Sequence, residues 1–423
     1  MSGPVMKVAT EPVATEKPIG NPIVAAAATW WARVRGGDAG SLPALLGIIV
    51  LVAVFASLRP TTFTNAFNFA NLIHQAAAVI VIAMGLVFVL LLGEIDLSAG
   101  YTAGTAAAVM GIAATRWGWP WPLAILACLV TGAVIGTAIG LLVAQLGIPS
   151  FVVTLAAFLA LQGVLLKLIG EGGTIAVRDG TLRAINNNDL PIWLGWVLFA
   201  VVVVGYAAVV LRRGARRRAS GLAYEAIQVT LIKIAALAVL LGLATWWLSV
   251  ERSRNPTVTS LKGVPIVVAI LLFLMVFLTF VLTRTSFGRH VYAVGGNAEA
   301  ARRAGINVGL VKLACFTIGS TLAAVGGIML ASRDNSISPS TGGASTLLYA
   351  VGAAVIGGTS LFGGKGKILD AILGGFVIAI IINGMGLLNQ PSSVVYMVTG
   401  LVLLVAASVD AISRRRARST GRV

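Results

Sequence analysis

The sequence predicts an all-α polytopic membrane protein. Of its 423 residues, 58% are hydrophobic and only 11% are charged. Apolar runs of about 20 residues, the length that a bilayer-spanning helix requires, recur along almost the whole chain. The weak alternating pattern of a membrane β-barrel is absent. These observations predict a single transmembrane domain without a large soluble domain.

The chain divides into three segments. Residues 1–41 are polar, rich in proline and alanine, and include Trp30 and Trp31 beside two arginines. They are predicted to form a cytoplasmic arm, and we expect no signal peptide because no short apolar core with a cleavage site begins the chain. Residues 42–412 form the transmembrane domain, and residues 413–423 form a basic cytoplasmic tail.

Twelve spans are predicted within the transmembrane domain. The tenth is short and could be re-entrant. The predicted spans are residues 43–59, 71–92, 99–115, 122–145, 151–169, 192–211, 226–249, 265–283, 309–331, 345–362, 367–388 and 393–411.

The basic residues predict the orientation of these spans. The net charge of +17 comes from residues in loops and tails beside apolar runs, where lysine and arginine orient helices and contact anionic lipid. The clearest basic segments are 212–218, 284–307 and 414–418, and twelve spans place all three on the side of the N-terminus. Both termini are therefore predicted to be cytoplasmic. Membrane lipid is an expected partner, and nucleic acid is not.

Residues 93–100, between the second and third spans, carry two carboxylates in a segment otherwise suited to lipid. An acidic residue at bilayer depth costs a few kcal/mol or more, so Glu94 and Asp96 indicate a functional position. Gly93 and Gly100 indicate that the helix is interrupted between them. The alternative is a polar turn at the membrane surface, in which Asp96 or Ser98 caps the next helix. The residues alone leave both interpretations open.

Residues 287–306 predict a short capped helix at the membrane surface. Asn297 is the predicted N-cap of a helix over residues 298–304. Glu299 lies in its first turn and Arg302 in its last, as the helix dipole favours, and Gly305 is suited to end it. Such a helix could dock into a groove on a partner, or it could simply join two spans.

Other polar residues inside the spans allow two interpretations. His74, Gln75 and Asn383 could line a transport pathway, or they could form interhelical hydrogen bonds. The two histidines, His74 and His290, are far apart and match no metal-ligand pattern. A base beside a nucleophile, as an intramembrane enzyme would need, is not apparent. Cys128 and Cys315 lie in apolar runs and are predicted to be packing residues.

The chain lacks a Walker A loop. The nearest approach, residues 358–366, has the wrong glycine spacing, and Gly366 replaces the serine or threonine that holds Mg²⁺. We therefore predict a transport subunit that is not itself an enzyme and binds no cofactor, with any ATP and Mg²⁺ on another polypeptide.

The chain also contains a weak internal repeat. Residues 93–100 align with residues 357–364, with glycine and leucine matching and Asp96 opposite Ser360. Transporters often carry such repeats.

Four ordered motifs resemble the permease subunits of bacterial ABC importers for monosaccharides, in the ribose/xylose branch. They are the Glu-Ala-Ala-x-x-x-Gly core within residues 287–306, the Gly-x-Ile-Asp-Leu-Ser-x-Gly pattern of residues 93–100, and residues 147–155 and 355–361. The resemblance covers about residues 42–412. An additional span pair, about 192–249, is similar to xylose-type members, and its removal leaves the ten-span core that the family implies.

The resemblance implies a homodimeric permease in the bacterial inner membrane, with its pathway at or near the dimer interface. An extracytoplasmic binding protein would deliver the sugar, and a cytoplasmic ATPase would drive transport. Residues 284–308 would form the loop that seats on the ATPase. A stand-alone secondary carrier or facilitator for a small polar solute is the alternative. Related permeases usually carry an acidic pattern where this chain has residues 347–349, Leu-Leu-Tyr, so the resemblance does not fix the sugar.

Two groups of site residues follow from this interpretation. The predicted pathway and gate residues are Glu94, Asp96, Ser98, His74, Gln75 and Asn383. The predicted ATPase-coupling residues are Gly295, Gly296, Asn297, Glu299, Ala300, Ala301, Arg302 and Gly305.

Overall fold

The computed structural model describes residues 40–222, 224–258 and 260–419. Nearly all of the predicted N-terminal arm and the last residues of the basic tail lie outside the described residues. In the described part of the chain, sixteen helices and two short strands follow one another. They are α1 (Leu42–Leu58), α2 (Pro60–Phe63), α3 (Ala66–Leu91), α4 (Ala99–Thr115), α5 (Trp121–Gln145), α6 (Ser150–Ile169), β1 (Ile175–Ala176), α7 (Gly180–Asn187), α8 (Ile192–Ala219), α9 (Ile227–Ser249), α10 (Ile266–Arg284), α11 (Ser286–Gly296), α12 (Ala298–Arg303), α13 (Val308–Asp334), β2 (Ser336–Ile337), α14 (Ala344–Gly357), α15 (Ile368–Leu387) and α16 (Ser392–Ser419).

The helical membrane class predicted from the sequence is confirmed. Among the described residues, eight helices are long and apolar enough to cross a bilayer, namely α3, α5, α6, α8, α9, α10, α13 and α15. Helices α1 and α14 and the first half of α16 are shorter apolar helices. Helix α4 lies at the predicted third span.

Helices α3 and α13 form the centre of the bundle. Almost every side chain in the second half of α3 is buried, and α13 packs against α3, α4 and α5. Gly132, Gly136 and Gly140 of α5 share one face and approach the backbone of α13 so closely that an added Cβ atom would collide with it. Small residues at this spacing let helix backbones pack closely. In lipid, where the hydrophobic effect does not drive helices together, this van der Waals packing stabilises the bundle.

The two ends of the bundle differ in structure. One end, here called the break end, carries residues 93–100 together with α11 and α12. The other, here called the ribbon end, carries α7 and the antiparallel pair β1–β2, in which Ile175 is opposite Ile337. The two polar loops that contain β1 and β2 are thus joined into one surface.

The predicted tenth span is shorter than expected. Helix α14 ends at Gly357 rather than residue 362, and its 14 residues extend about 21 Å, less than the roughly 30 Å of a bilayer core. The preceding segment explains the difference, because it runs inward along α4. Ile337 lies against Gly111, Thr341 against Gly104, and residues 342–343 against Gly100. Helix α14 therefore begins only after this preceding segment has already crossed part of the thickness of the bundle.

The helix pair α8 and α9 is attached mainly at the ribbon end. Only 6% of each apolar window is buried. In the loop after α9, Arg252 pairs with Asp189 at 2.5 Å, and the two side chains are 2% and 10% exposed. The same guanidinium donates to the carbonyl oxygens of Leu248 at 2.6 Å and Gly263 at 3.0 Å. This buried group holds the pair against the loop that precedes α8.

Replacing Arg252 with alanine should destabilise this attachment strongly. Removing one partner of a buried ion pair costs about 3–5 kcal/mol, because the other charge is left uncompensated. Thermal unfolding and trypsin cleavage of the 250–265 loop would measure the effect in purified protein. Arg254→Ala, at an exposed arginine in the same loop, is the matched control. Equal stability of the two variants would contradict the assignment.

Candidate gate and coupling site

The first break is residues 93–100, where the chain leaves α3 and enters α4. Helix α3 ends at Leu91, and Gly93 has a φ of +74°. Residues with side chains rarely adopt this left-handed conformation, so glycine permits the turn. Helical structure resumes at Ala99. The interruption predicted from the two glycines is therefore present.

Asp96 lies inside the first break and is only 1% exposed. Its Oδ1 atom accepts hydrogen bonds from the Ser98 amide at 2.8 Å and the Ser98 hydroxyl at 2.6 Å. Its Oδ2 atom has no hydrogen-bond partner among the described residues. Ser98 occupies the N-cap position of α4 but makes no side-chain cap. Capping by Ser98 is therefore wrong, because its hydroxyl donates to Asp96, which holds the turn ahead of α4.

Glu94 contacts a cation from a distant part of the chain. Its Oε1 atom lies 2.5 Å from Nζ of Lys312 in α13, and the two side chains are 16% and 25% exposed. The next residue, Ile95, donates its amide hydrogen to Ser150 at 3.2 Å and accepts from the Thr154 hydroxyl at 3.2 Å. Ser150 and Thr154 belong to the motif at residues 147–155, so two sequence motifs meet at the first break.

The second break is residues 358–367, between α14 and α15. It lies beside the first, because the Gly364 amide donates to the Leu91 carbonyl at 2.8 Å. Ser360 accepts a hydrogen bond from the Phe362 amide at 2.9 Å, as Asp96 does from the Ser98 amide. Asp96 and Ser360, which the sequence alignment places opposite each other, thus form the same kind of turn. In each, the side chain accepts a hydrogen bond from the amide two residues later.

Residues 284–308, predicted to couple to an ATPase and here called the coupling segment, contain the predicted capped helix. Asn297 accepts a hydrogen bond from the Ala300 amide at 2.9 Å, and Gly305 has a φ of +83°. Helix α12 ends at Arg303, one residue before the predicted end. Glu299 pairs with Arg302 at 2.8 Å and Arg303 at 3.1 Å, and all three side chains are at least 56% exposed. The helix therefore presents charged groups to its surroundings.

The coupling segment packs directly against both breaks. A Cβ atom on Gly295 would overlap the carbonyl oxygen of Leu91 and would lie 2.9 Å from the amide nitrogen of Gly364. Tyr292 donates its hydroxyl hydrogen to the Gly366 carbonyl at 2.8 Å. A tyrosine phenol is protonated at neutral pH, and burial together with the charge of Asp370 raises the pKa of Tyr292 further. Helix α11 thus holds the ends of α3 and of the second break together.

The other predicted pathway residues lie elsewhere. Nδ1 of His74 is 3.3 Å from Oδ1 of Asn186, which is fully buried near the ribbon end. Asn383 and Asn68 exchange two amide hydrogen bonds of 2.9 Å. Gln75 Oε1 is buried without a partner among the described residues. These contacts favour the interhelical hydrogen bonds over a pathway role for His74 and Asn383.

A hollow of about 190 Å³ opens at the ribbon end. Two arginines lie on its wall, and the lining residues are Thr115, Arg116, Thr174, Ile175, Ala176 and Arg178. Within the described residues, no three histidine, cysteine, aspartate or glutamate side chains are grouped to hold a metal ion.

Comparison with known proteins gives one family and several named relatives. Residues 68–407 match the family described as branched-chain amino acid transport system / permease component. The chain is 37% identical over 372 residues to the xylose transport system permease protein XylH of Escherichia coli strain K12, covering 88% of this chain and 92% of the relative. It is 35% identical to XylH of Haemophilus influenzae, covering 88% and 96%. The ribose import permease protein RbsC of Escherichia coli strain K12 is 29% identical, covering 86% and 92%. No solved structure matches.

Proposed function

From the premise that the chain belongs to the branched-chain amino acid transport system permease family, we propose that it is the permease subunit of an ATP-driven monosaccharide importer. The named relatives that support a sugar as cargo are xylose and ribose permeases matched over most of their length. Xylose or a related sugar is the favoured substrate, because the xylose permeases are the more similar of these relatives. Leu347 packs against Gly100 at a position where related permeases usually carry an acidic pattern, so the exact sugar is left to experiment.

One observation carries the proposal. An exposed, capped helix sits at the tip of a segment that packs backbone to backbone on two helix breaks. Such an arrangement suits a subunit that receives force from a partner and converts it into a change at a gate, because packed elements shift between discrete arrangements. The partner is a separate ATPase that binds ATP and Mg²⁺, and α12 is the element that seats on it.

The remaining architecture follows the same proposal. The chain has twelve spans, of which α8 and α9 are added to a ten-span core, and both termini are cytoplasmic in the inner membrane. Two copies form the transporter, with the pathway at or near their interface. A sugar-loaded binding protein docks at the ribbon end, where Arg116 and Arg178 line a hollow suited to acidic side chains.

Uptake in cells tests this proposal. Labelled xylose should accumulate only when the chain is expressed together with its ATPase and its binding protein. Omission of either partner should reduce uptake to background. Accumulation by cells that express the chain alone would favour a stand-alone carrier or facilitator.

Glu299→Arg should weaken assembly with the ATPase. The change places three cationic side chains together on α12, and like charges at an interface suppress binding. Co-purification and ATP-dependent uptake should both fall by about tenfold or more, a change of roughly 1.4 kcal/mol. Glu225→Arg, at a glutamate that also pairs with a lysine at the break end, is the matched control and should assemble normally. Normal coupling in Glu299→Arg would show that α12 does not bind the ATPase.

A further inference from the structure

The ion pair between Glu94 and Lys312 differs from the others at the break end. Among the described residues there, the other pairs join side chains at most eight positions apart, as in Lys233–Glu225. Glu94 lies in the first break and Lys312 lies in α13, far along the chain. Both side chains are largely screened from solvent, at 16% and 25% exposure. A charge pair in such surroundings is stronger and less screened by salt than one on the surface.

A short, rigid link connects Lys312 to the coupling segment. After α12, the amides of Gly305 and Ile306 donate to the carbonyls of Arg302 and Ala301, both at 3.0 Å. Asn307 then caps α13 by accepting from the Leu310 amide at 3.0 Å. Lys312 follows in the second turn of α13. Because Gly305, Ile306 and Asn307 all make hydrogen bonds within this short link, we expect a displacement of α12 to move Lys312 as well.

The first break is thus held from both sides of the coupling segment. On the N-terminal side, Gly295 of α11 sits against the Leu91 carbonyl at the end of α3. On the C-terminal side, Lys312 of α13 holds Glu94, three residues beyond Leu91. The first contact is a close backbone packing that fixes a distance. The second joins two long side chains, which can separate and re-form as the elements move.

We propose that Lys312 and Glu94 form a positioning pair that transmits the displacement of α12 to the first break. This inference rests on the proposed function and adds to it a route between the ATPase side and the gate. The proposed role is one of positioning and involves no contact of the pair with the sugar or the nucleotide. This role requires opposite charges at the two positions, and either position can carry the negative charge.

Charge reversal in the assembled complex tests this inference. Glu94→Lys, Lys312→Glu and the double variant would be reconstituted in proteoliposomes with the ATPase and the binding protein. The measured quantity is the amount of xylose or ribose imported per ATP hydrolysed, with the amount of assembled complex determined separately. The double reversal Glu225→Lys with Lys233→Glu is the matched control, because that pair also has an Nζ–Oε1 distance of 2.5 Å but its side chains are far less buried, at 40% and 50% exposure.

Each single variant should lower the sugar imported per ATP by about tenfold or more, while hydrolysis continues, and the double variant should recover to within about threefold of wild type. A purely structural pair would instead lower hydrolysis and import together, in proportion to the loss of complex. The inference is overturned if the double variant is no better than the worse single variant, or if both single variants couple normally. Absence of ATP-dependent import by the wild-type complex would instead contradict the proposed function itself.

Discussion

Gly295→Ala is expected to abolish coupled import. The new methyl group would overlap the carbonyl oxygen of Leu91 and crowd the Gly364 amide, and neither backbone group can move without shifting a break. Overpacking of this kind costs about 1–3 kcal/mol or more. Alanine is otherwise favoured over glycine in a helix by about 1 kcal/mol, so any loss arises from the contact. Xylose uptake, normalised to the amount of protein in the membrane, measures the effect.

Gly205→Ala provides the control for this substitution. Gly205 lies within α8, and an added Cβ atom there meets no atom within 4 Å. It should transport like wild type and be at least as stable. Normal uptake by Gly295→Ala would mean that α11 tolerates displacement from the breaks. The close packing of the coupling segment against the two breaks would then have no role in transport.

Asp96→Ala is expected to abolish uptake while leaving membrane insertion intact. The substitution removes the acceptor of two hydrogen bonds from Ser98, whose side chain is fully buried. Each buried donor left without a partner costs about 1–3 kcal/mol, and the turn before α4 loses its support. Insertion depends on the apolar spans, which are unchanged. Uptake assays and membrane fractionation of the same cells would separate the two properties.

Asp96→Asn distinguishes the turn from the charge. The amide oxygen can still accept from the Ser98 amide and hydroxyl, so this variant should retain measurable uptake. If Asp96→Ala transports normally, the first break is an ordinary surface turn. If Asp96→Asn is as inactive as Asp96→Ala, the negative charge itself is needed rather than the turn.

The helices were largely predictable because apolar runs bounded by glycine, proline and basic residues define them locally. The interruption at residues 93–100 was predictable for the same reason, since Gly93 and two carboxylates fall within a few positions. The capped helix at Asn297 also follows from local chemistry. By contrast, Ser98 was one of two predicted caps for the next helix, but its amide and its hydroxyl both donate to Asp96, and the sequence does not show which neighbour a serine will contact.

Long-range partners were not predictable. The sequence assigned no role to Lys312, and nothing local connects it with Glu94. The contact of Gly295 with Leu91 depends on the path of α11 between two helices that are distant in sequence. His74 and Asn383 each had two interpretations, and their hydrogen-bond partners in distant helices, Asn186 and Asn68, could not be identified from any local pattern. The shortness of α14 likewise depends on how the preceding segment packs along α4.

Reconstitution from purified components tests the central claim most directly. The chain would be placed in proteoliposomes with its ATPase, its binding protein and labelled xylose, and import would be measured with ATP, without ATP, and with an imposed proton or sodium gradient. We expect import that requires ATP and both partners and that does not respond to either gradient. Import by the chain alone, driven by an ion gradient or by the sugar gradient without ATP, would contradict the assignment as the permease subunit of an ATP-driven importer.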